Sequence, residues 1–322
     1  MTFMNTVTSL VASHTDFLWP KKLAPIALFV YNRPEHTRRT VEALQKNELA
    51  QLSDLFVFAD APRNEAAAAS VQQVRKFVRG IEGFRSVTIV ERDHNFGLSK
   101  SIVSGATQLC EEYGRMIAVE DDIVTAPDFL SFMNRCLERY KSEPRVFSVN
   151  GFNFPITPPV SYPWDAYFSY RSNSWGWSTW NDRWEKADWS VSDFAEFIAD
   201  REQQKRFNQG GSDLTEALAR RMAGKHDGSW DLVWAYTHSK QDAVALRPVL
   251  SKVNNIGFDG SGTHCRWSAF QQITLSSNSS PKYRLPDSVE PDAYFAVEIQ
   301  RLHRRSPARM FARYLFDKLG LR

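Results

Sequence analysis

The sequence predicts an α/β fold built on a mostly parallel sheet flanked by helices. Between residues 25 and 122, short apolar runs alternate with longer amphipathic segments, which is typical of a doubly wound α/β layer. The apolar runs predict strands at 26–31, 55–59, 87–91 and 116–119, and the segments between them predict helices at 37–45, 66–79 and 99–112. Because a helix separates each strand from the next, the four strands should run parallel.

The size and composition of the chain match an ordinary globular protein. Its 322 residues are 43% hydrophobic and 24% charged, which is enough for one large domain or two moderate ones. The formal net charge is +3, but residues 301–322 hold seven basic residues against one acidic residue, so the rest of the chain is net negative. We therefore expect a local basic tail rather than a nucleic-acid-binding face, and no nucleic-acid partner.

The cysteines and the first residues favour a cytoplasmic location. Cys110, Cys136 and Cys265 show neither paired spacing nor a CxxC arrangement, which favours a reducing compartment. The first twenty residues lack the basic start and continuous apolar run of a signal peptide. No segment approaches the ~20 apolar residues that cross a bilayer, so any membrane contact should be peripheral.

Polar side chains follow the predicted strands at one edge of the sheet. Arg33 follows the first strand, Asp60 follows the second, and Glu120, Asp121 and Asp122 end the fourth. Open α/β folds bind ligands at this carboxyl edge, and three adjacent carboxylates need water, cations or a metal ion. The pattern suggests a divalent-ion site, although the acids could instead satisfy backbone N–H groups of the next segment.

The turn after the first strand argues against a dinucleotide-binding oxidoreductase. That fold places G-x-G-x-x-G there, whereas this chain has Tyr-Asn-Arg-Pro-Glu-His at 31–36. The Gly-Leu-Ser-Lys run at 97–100 lacks the spacing of a P-loop. The phosphates of a bound nucleotide would then be neutralised by a metal and side chains, so the acidic strand end fits a nucleotide-diphosphate ligand.

The sequence around the acidic run resembles a known enzyme family. The segment VEDDIVTAPDFL at 119–130 is similar to the VEDDxxxAPDFF segment of the N-acetylglucosaminyltransferases that initiate complex N-glycan branching, which have the GT-A fold. Matching pieces at Arg33, Asp60, 93–94, 229–231 and 247–248 follow in the same order, so the resemblance covers roughly residues 25–270. The tryptophan-rich run 174–180 is more similar to bacterial family-2-like polysaccharide glycosyltransferases.

This resemblance implies a GT-A (Rossmann-like) fold and a metal-dependent, inverting transfer of a sugar from a nucleotide diphosphate sugar. Asp122 would ligate Mn²⁺ or Mg²⁺, and Asp231 would be the general base. Glu120 and Asp121 would contact the sugar and ribose of the donor, and Arg33 and Asp60 would hold the uridine. The position near Ser104 departs from a family histidine that touches the nucleotide, so UDP is favoured while the base stays open.

Five side chains carry a second interpretation beside the functional one. His264 could reach the diphosphate when its glycine-rich loop closes, or could simply be solvated. Lys100 could steady a phosphate or be a surface charge. Trp175 and Trp177 could floor an acceptor site, because tryptophan faces stack on pyranose rings, or could belong to the core. Asp231 could cap the predicted helix at 232–240 instead of acting as a base.

The chain is expected to divide into three parts. An N-terminal extension at 1–24 precedes a catalytic domain at 25–275, which has a nucleotide-sugar-binding half at 25–150 and an aromatic-rich acceptor half at 151–275. A linker and a basic amphipathic helix follow at 276–322. This helix could lie peripherally on an anionic membrane surface, which would suit a lipid-linked acceptor, or could dock on its own domain.

The sequence therefore predicts a cytoplasmic glycosyltransferase that uses a nucleotide-sugar donor and a glycan or glycolipid acceptor. A sugar-nucleotide pyrophosphorylase is an alternative that shares the type of sheet, but it should carry a glycine-rich phosphate loop after its first strand. A non-catalytic carbohydrate-binding protein would explain the tryptophans without the acidic run.

Overall fold

The fold is a mixed α/β layer around one large sheet, which confirms the predicted fold class. The computed structural model describes residues 22–225, 229–260, 275 and 282–304. Numbered along the chain, the strands are β1 (Ile26–Val30), β2 (Asp54–Ala59), β3 (Ser86–Glu91), β4 (Arg115–Glu120), β5 (Ile123–Thr125), β6 (Val146–Asn150), β7 (Ala166–Ser169), β8 (Trp177–Trp180), β9 (Val244–Pro248) and β10 (Val253–Asn255). Eight of them form one sheet in the order β3-β2-β1-β4-β8-β6-β9-β7, and β5 pairs with β10.

Helices flank this sheet along the described residues. They are α1 (Pro34–Gln45), α2 (Glu65–Val78), α3 (Leu98–Tyr113), α4 (Phe129–Arg139), α5 (Asn181–Trp184), α6 (Phe194–Ala199), α7 (Arg201–Phe207), α8 (Leu214–Met222), α9 (Trp230–Lys240) and α10 (Ala293–Leu302). The four strands and three helices predicted before residue 122 are all present. No helix in the described part of the chain is long and apolar enough to span a membrane.

The first four strands run parallel, as predicted, and their register aligns the carboxyl ends of the strands at one edge. Val30 of β1 pairs with Ala59 of β2, and Phe29 pairs with Glu120 of β4. The carboxyl ends of β1, β2 and β4 therefore finish side by side. Since β1 is buried on both faces, only the side chains beyond the strand ends are available to a ligand.

The second half of the chain extends the same sheet instead of forming a separate layer. β8 lies antiparallel between β4 and β6, β6 pairs in parallel with β9, and β9 pairs antiparallel with β7. The tryptophan-rich run thus supplies a central strand. The nucleotide-sugar half and the acceptor half proposed from the sequence share one hydrogen-bonded sheet.

The short β5–β10 ladder brings a distant segment to the carboxyl end of β4. Asn255 pairs with Ile123, directly after the acidic run. A buried ion pair supports this ladder, because Lys252 Nζ lies 2.6 Å from Asp128 Oδ2, and Tyr283 donates its hydroxyl proton to the same oxygen at 2.7 Å. The segment after β10 consequently lies beside the end of β4.

Part of the predicted linker at 276–322 is packed against the outer strand β7. Asp165 N donates to Arg284 O at 2.8 Å, and Asp292 N donates to Phe168 O at 3.1 Å. Phe295 of α10 is fully buried. Residues 283–302 thus belong to the fold, while residues 305–322, which include most of the predicted basic helix, and residues 1–21 lie outside the described part of the chain.

Candidate functional site

The acidic run lies at the carboxyl end of β4, as the sequence predicts. Glu120 is the last residue of β4, and Asp121 and Asp122 form the turn to β5. Asp121 is 4% exposed and Asp122 is 8% exposed, while Glu120 is half-buried. Thr40 of α1 donates its hydroxyl proton to the backbone oxygen of Asp121 at 2.8 Å, which fixes the turn.

Arg33 is the cation that faces this turn. It follows β1 and precedes Pro34, the first residue of α1. Its guanidinium donates to Asp121, and Nη2 lies 3.0 Å from Asp122 Oδ2. Burial acts to lower the pKa of Arg33, but the carboxylates of Asp121 and Asp122 outweigh it and raise the pKa above its usual value. The predicted uridine contact is therefore, in this structure, the counter-ion of the acids.

Negative charge is in excess at this edge of the sheet. Burial raises the pKa of Glu120 well above its usual value, and the charges of Asp122, Asp121 and Asp231 raise it further. Burial also raises the pKa of Asp121, although Arg33 opposes that shift. Arg33 binds two of these carboxylates, and a bound cation would relieve the remaining repulsion that raises the pKa of Glu120.

Asp231 reaches the same edge from α9. The helix begins at Trp230 with Ser229 at the N-cap position, so Asp231 is its second residue and the structure does not place it at the cap. The Ser229 hydroxyl donates to the Asp231 carboxylate. The Trp230 ring packs on Trp177 of β8 with their centroids 4.8 Å apart, and this packing sets the start of α9 against the sheet.

The Asp60 carboxylate is occupied by the loop that follows β3. Its Oδ1 accepts from the backbone N–H groups of Ala61 and Phe96, both at 2.9 Å. Its Oδ2 accepts from Gly97 N and from Asn95 Nδ2, both at 3.0 Å. Four donors fill the four lone-pair positions of a carboxylate, so Asp60 shapes this loop in the structure.

A basic and aromatic cluster lies on the loop that Asp60 holds and on the first turn of α3, which follows it. Lys100 is exposed and its Nζ lies 4.2 Å from the centroid of the Phe96 ring. Arg92 lies over the same ring at 4.5 Å, and the His94 ring lies 4.8 Å from it. Lys100 therefore lies near the carboxyl end of β3, in the first turn of α3.

The segment 256–260 covers the acidic turn, a feature that the sequence identified only as a glycine-rich loop. Ile256 N donates to Asp122 O at 2.9 Å. Gly257 has no room for a side chain, because a Cβ there would overlap the Asp122 carboxylate and lie 3.0 Å from Arg33 Nη1. His36 Nε2 lies 3.2 Å from Asp259 Oδ2. His264, which follows this segment, lies outside the described residues.

The two tryptophans predicted to floor an acceptor site have different surroundings. Trp177 is 1% exposed and stacks on Trp184 with their centroids 5.3 Å apart, so it belongs to the core and offers no face to a sugar. Trp175 is half-buried and packs edge-on against Phe152 and Phe258, with centroids 4.4 and 5.5 Å away. Only Trp175 of this pair has ring surface left for an acceptor.

The chemistry of the acidic turn fits a hard divalent cation, although the described residues do not by themselves form a complete metal site. Within the described residues, no three His, Cys, Asp or Glu side chains are grouped to hold a metal ion. Mg²⁺ in proteins is commonly held by one or two carboxylates together with substrate phosphates and water. The carboxylate oxygens of Asp122, with further acidic side chains beside them, could supply such a ligand.

Comparisons with known proteins give distant structural similarities. No family model and no curated protein sequence matches the chain. The similar solved structures include the mannosyltransferase PcManGT from Pyrobaculum calidifontis in complex with GDP-Man and Mn²⁺, at 10% identity over 71% of this chain and 79% of that chain, with a TM-score of 0.36. TarS from S. aureus is 12% identical over 51% of this chain and 30% of its own, with a TM-score of 0.36. Mouse xyloside xylosyltransferase 1, in its apo form, is 10% identical over 69% and 83%, with a TM-score of 0.37.

Because all three TM-scores are below 0.5, these similarities carry no functional argument. Any conclusion about function therefore rests on the residues at the carboxyl ends of β1, β2 and β4.

Proposed function

We propose that this protein is a metal-dependent inverting glycosyltransferase of the GT-A type, which transfers a sugar from a nucleotide diphosphate sugar to a glycan or lipid-linked glycan. The observation that carries the proposal is the acidic turn at the carboxyl edge of the parallel strands, where Arg33 binds both Asp121 and Asp122 and the charges of Asp121, Asp122 and Asp231 raise the pKa of Glu120. Such an arrangement is costly for stability alone, since buried like charges repel each other. It suits a site that binds a cation together with a diphosphate.

The acidic turn would hold the donor. Asp122 would ligate a divalent cation, Mn²⁺ or Mg²⁺, and this ion would supply charge neutralisation for the departing diphosphate. Glu120 and Asp121 would accept hydrogen bonds from hydroxyl groups of the donor sugar and ribose. Arg33, which binds the acids in this structure, would turn toward the uridine, with UDP favoured as the nucleotide.

The loop after β3 would form the other side of the donor site. Asp60 shapes this loop through its four hydrogen bonds, and Lys100, an exposed residue, lies in the first turn of α3 directly after the loop. Lys100 and, from the glycine-rich loop, His264 would provide positive charge for the phosphates.

Asp231 would act as the general base. Inverting transfer requires a carboxylate that takes the proton of the acceptor hydroxyl while that oxygen attacks the anomeric carbon from the side opposite the leaving group. Asp231 is half-buried at the start of α9, and its charge raises the pKa of Glu120, which supports a position for the base near the donor. The half-buried ring of Trp175 would contact the acceptor.

Titration calorimetry with UDP and GDP, each with and without MnCl₂, tests the proposal. We expect Mn²⁺-dependent binding of one nucleotide by the wild-type protein and a loss of about tenfold or more in Asp122→Asn, since the variant lacks the metal ligand. Asp182→Asn is the matched control. β8 runs antiparallel to β4, so Asp182, which follows β8, lies near the start of β4 and away from the acidic turn at its end.

A panel of nucleotide sugars, assayed by nucleotide release, would then identify the donor. The proposal fails if the wild-type protein binds neither nucleotide in the presence of metal. It also fails if Asp122→Asn and Asp182→Asn behave alike.

A further inference from the structure

A cavity of about 500 Å³ lies at the outer edge of the sheet, beside β7, away from the acidic turn. This volume is within the ~300–1,000 Å³ range of small-molecule pockets. Four strand spacings separate β4 from β7, which corresponds to about 19 Å. The cavity is therefore distinct from the candidate donor site, and nothing in the proposed donor chemistry uses it.

Two parts of the chain build the walls of this cavity. One wall is β7 with the residues before it, including Tyr162 and Trp164, and the other is the segment 286–293. The second wall is fixed in place, because Tyr140 donates its hydroxyl proton to Pro286 O at 2.7 Å and Asp292 N donates to Phe168 O at 3.1 Å. The cavity is thus a built feature of the packed fold.

Trp164 differs from the other tryptophans that the structure describes. Seven of these eight rings pack against another aromatic ring or a cation, as Trp177, Trp180 and Trp189 illustrate. Trp164 is half-buried at the cavity, and among the described residues it has neither a ring partner nor an acceptor for its indole N–H. A partly exposed tryptophan ring with a free donor is suited to stacking on a ligand and donating one hydrogen bond.

Two of the acidic groups around the cavity are paired with arginines. Asp287 pairs with Arg139 at 2.9 Å, and Glu290 pairs with Arg145 at 2.8 Å. Asp292 caps α10 by accepting from two backbone N–H groups. Such pairs retain lone pairs and N–H donors for hydroxyl groups, but they give no net attraction for a cationic ligand.

We propose that this cavity is a saccharide-binding site. An aromatic face for the C–H side of a pyranose ring, together with paired charged groups for its hydroxyls, is the combination that an uncharged sugar needs. The site would hold a part of the acceptor glycan remote from the reacting hydroxyl. That role as an acceptor subsite rests on the proposed function, whereas saccharide binding itself does not.

A printed glycan array probed with the wild-type protein, followed by titration calorimetry with the best glycan, tests this proposal. We expect Trp164→Ala to weaken binding by about tenfold or more, because the stacking face is lost. Asp287→Ala should weaken it less, and this side chain is 85% exposed, so its removal does not endanger folding. Leu250→Ala, at an exposed site outside the cavity, is the control.

The outcomes separate this inference from the proposed function. Glycan binding that persists in Asp122→Asn and Asp231→Asn but is lost in Trp164→Ala supports the cavity site, whatever the nucleotide titrations show. The inference is overturned if the wild-type protein binds no glycan on the array, or if Trp164→Ala binds the best glycan as tightly as the wild type does. If the wild-type protein binds glycans but no nucleotide, only the proposed donor site is contradicted.

Discussion

At the scale of single residues, Arg33 supplies positive charge that balances the carboxylates of the acidic turn when no ligand is bound. Its guanidinium contacts both Asp121 and Asp122, and its side chain is 19% exposed. A metal ion bound at Asp122 would compete with Arg33 for the same carboxylate oxygen. Removal of Arg33 should therefore leave these carboxylates without a counter-ion and increase the stabilisation that a bound metal ion provides.

Arg33→Ala should destabilise the metal-free protein and strengthen its response to metal. We expect a loss of roughly 2–3 kcal/mol in the free energy of unfolding, less than the ~3–5 kcal/mol of a fully buried pair because Arg33 is partly exposed. Thermal unfolding with increasing MnCl₂ should show a larger metal-induced rise in Tm for this variant than for the wild type. Arg63→Ala, at an exposed site, is the control. An equal rise in Tm in all three proteins would contradict the prediction.

Asp231→Asn should separate catalysis from donor binding. The amide cannot accept the proton of the acceptor hydroxyl, so kcat should fall by about 10²–10⁴-fold while the donor Kd changes little. Steady-state kinetics and titration calorimetry on the same preparation measure the two quantities. A parallel loss of donor affinity would assign Asp231 to donor binding instead.

Residue roles were the least predictable part of the site. The sequence located Asp60 correctly at the end of β2, but it gave no sign that the loop after β3 would take all of its acceptor positions. The role of Trp177 was equally hard to predict, because a tryptophan in the core and a tryptophan at a binding site follow the same local sequence pattern. Burial depends on β8 entering the middle of the sheet, and that is a long-range property.

At the scale of elements, α10 ties the end of the described chain to the sheet. Phe295 stacks on Tyr167 of β7, with ring centroids 3.7 Å apart and planes 7° apart, and meets Tyr162 edge-on at 5.2 Å. Tyr162, which Phe295 meets, and Ala293, the first residue of α10, both line the cavity beside β7. The stability of α10 and the shape of the cavity are therefore linked.

Phe295→Ala should destabilise the protein by about 3–5 kcal/mol, because it removes a fully buried aromatic ring and leaves a void against β7. Chemical denaturation measures this loss. Val297→Ala on the same helix removes a side chain that is 52% exposed and should change stability by no more than about 0.5 kcal/mol. Similar losses in both variants would contradict the assignment of this stability to the packing of Phe295 on β7.

The elements before residue 122 were predictable because their signals are local. Each buried strand is a short apolar run, each crossover helix has an amphipathic pattern, and the parallel order follows from their alternation. The order β8-β6-β9-β7 carries no comparable signal. It combines antiparallel and parallel pairs between strands up to about a hundred residues apart, so the pairing depends on tertiary packing rather than on local pattern.

At the scale of the whole molecule, one buried histidine couples the stability of the protein to pH. His238 of α9 is fully buried, and its Nε2 lies 2.9 Å from Ser148 Oγ of β6, which also accepts the indole N–H of Trp234 at 2.9 Å. Burial lowers the pKa of His238 from 6.5 to about 3. The folded protein therefore holds this side chain neutral in the pH range where the unfolded chain protonates it.

The sign of the effect follows from this difference in proton binding. Below pH 6.5 the unfolded state binds a proton that the folded state excludes, so the free energy of unfolding should fall as the pH decreases from about 6.5 toward 3. This one group should contribute a loss of about 2 kcal/mol by pH 5. His238→Gln keeps a polar group near Ser148 but cannot titrate, so its stability should fall less over the same range. Urea denaturation of both proteins at pH 7 and pH 5 measures the difference, and equal losses would show that His238 is not the group responsible.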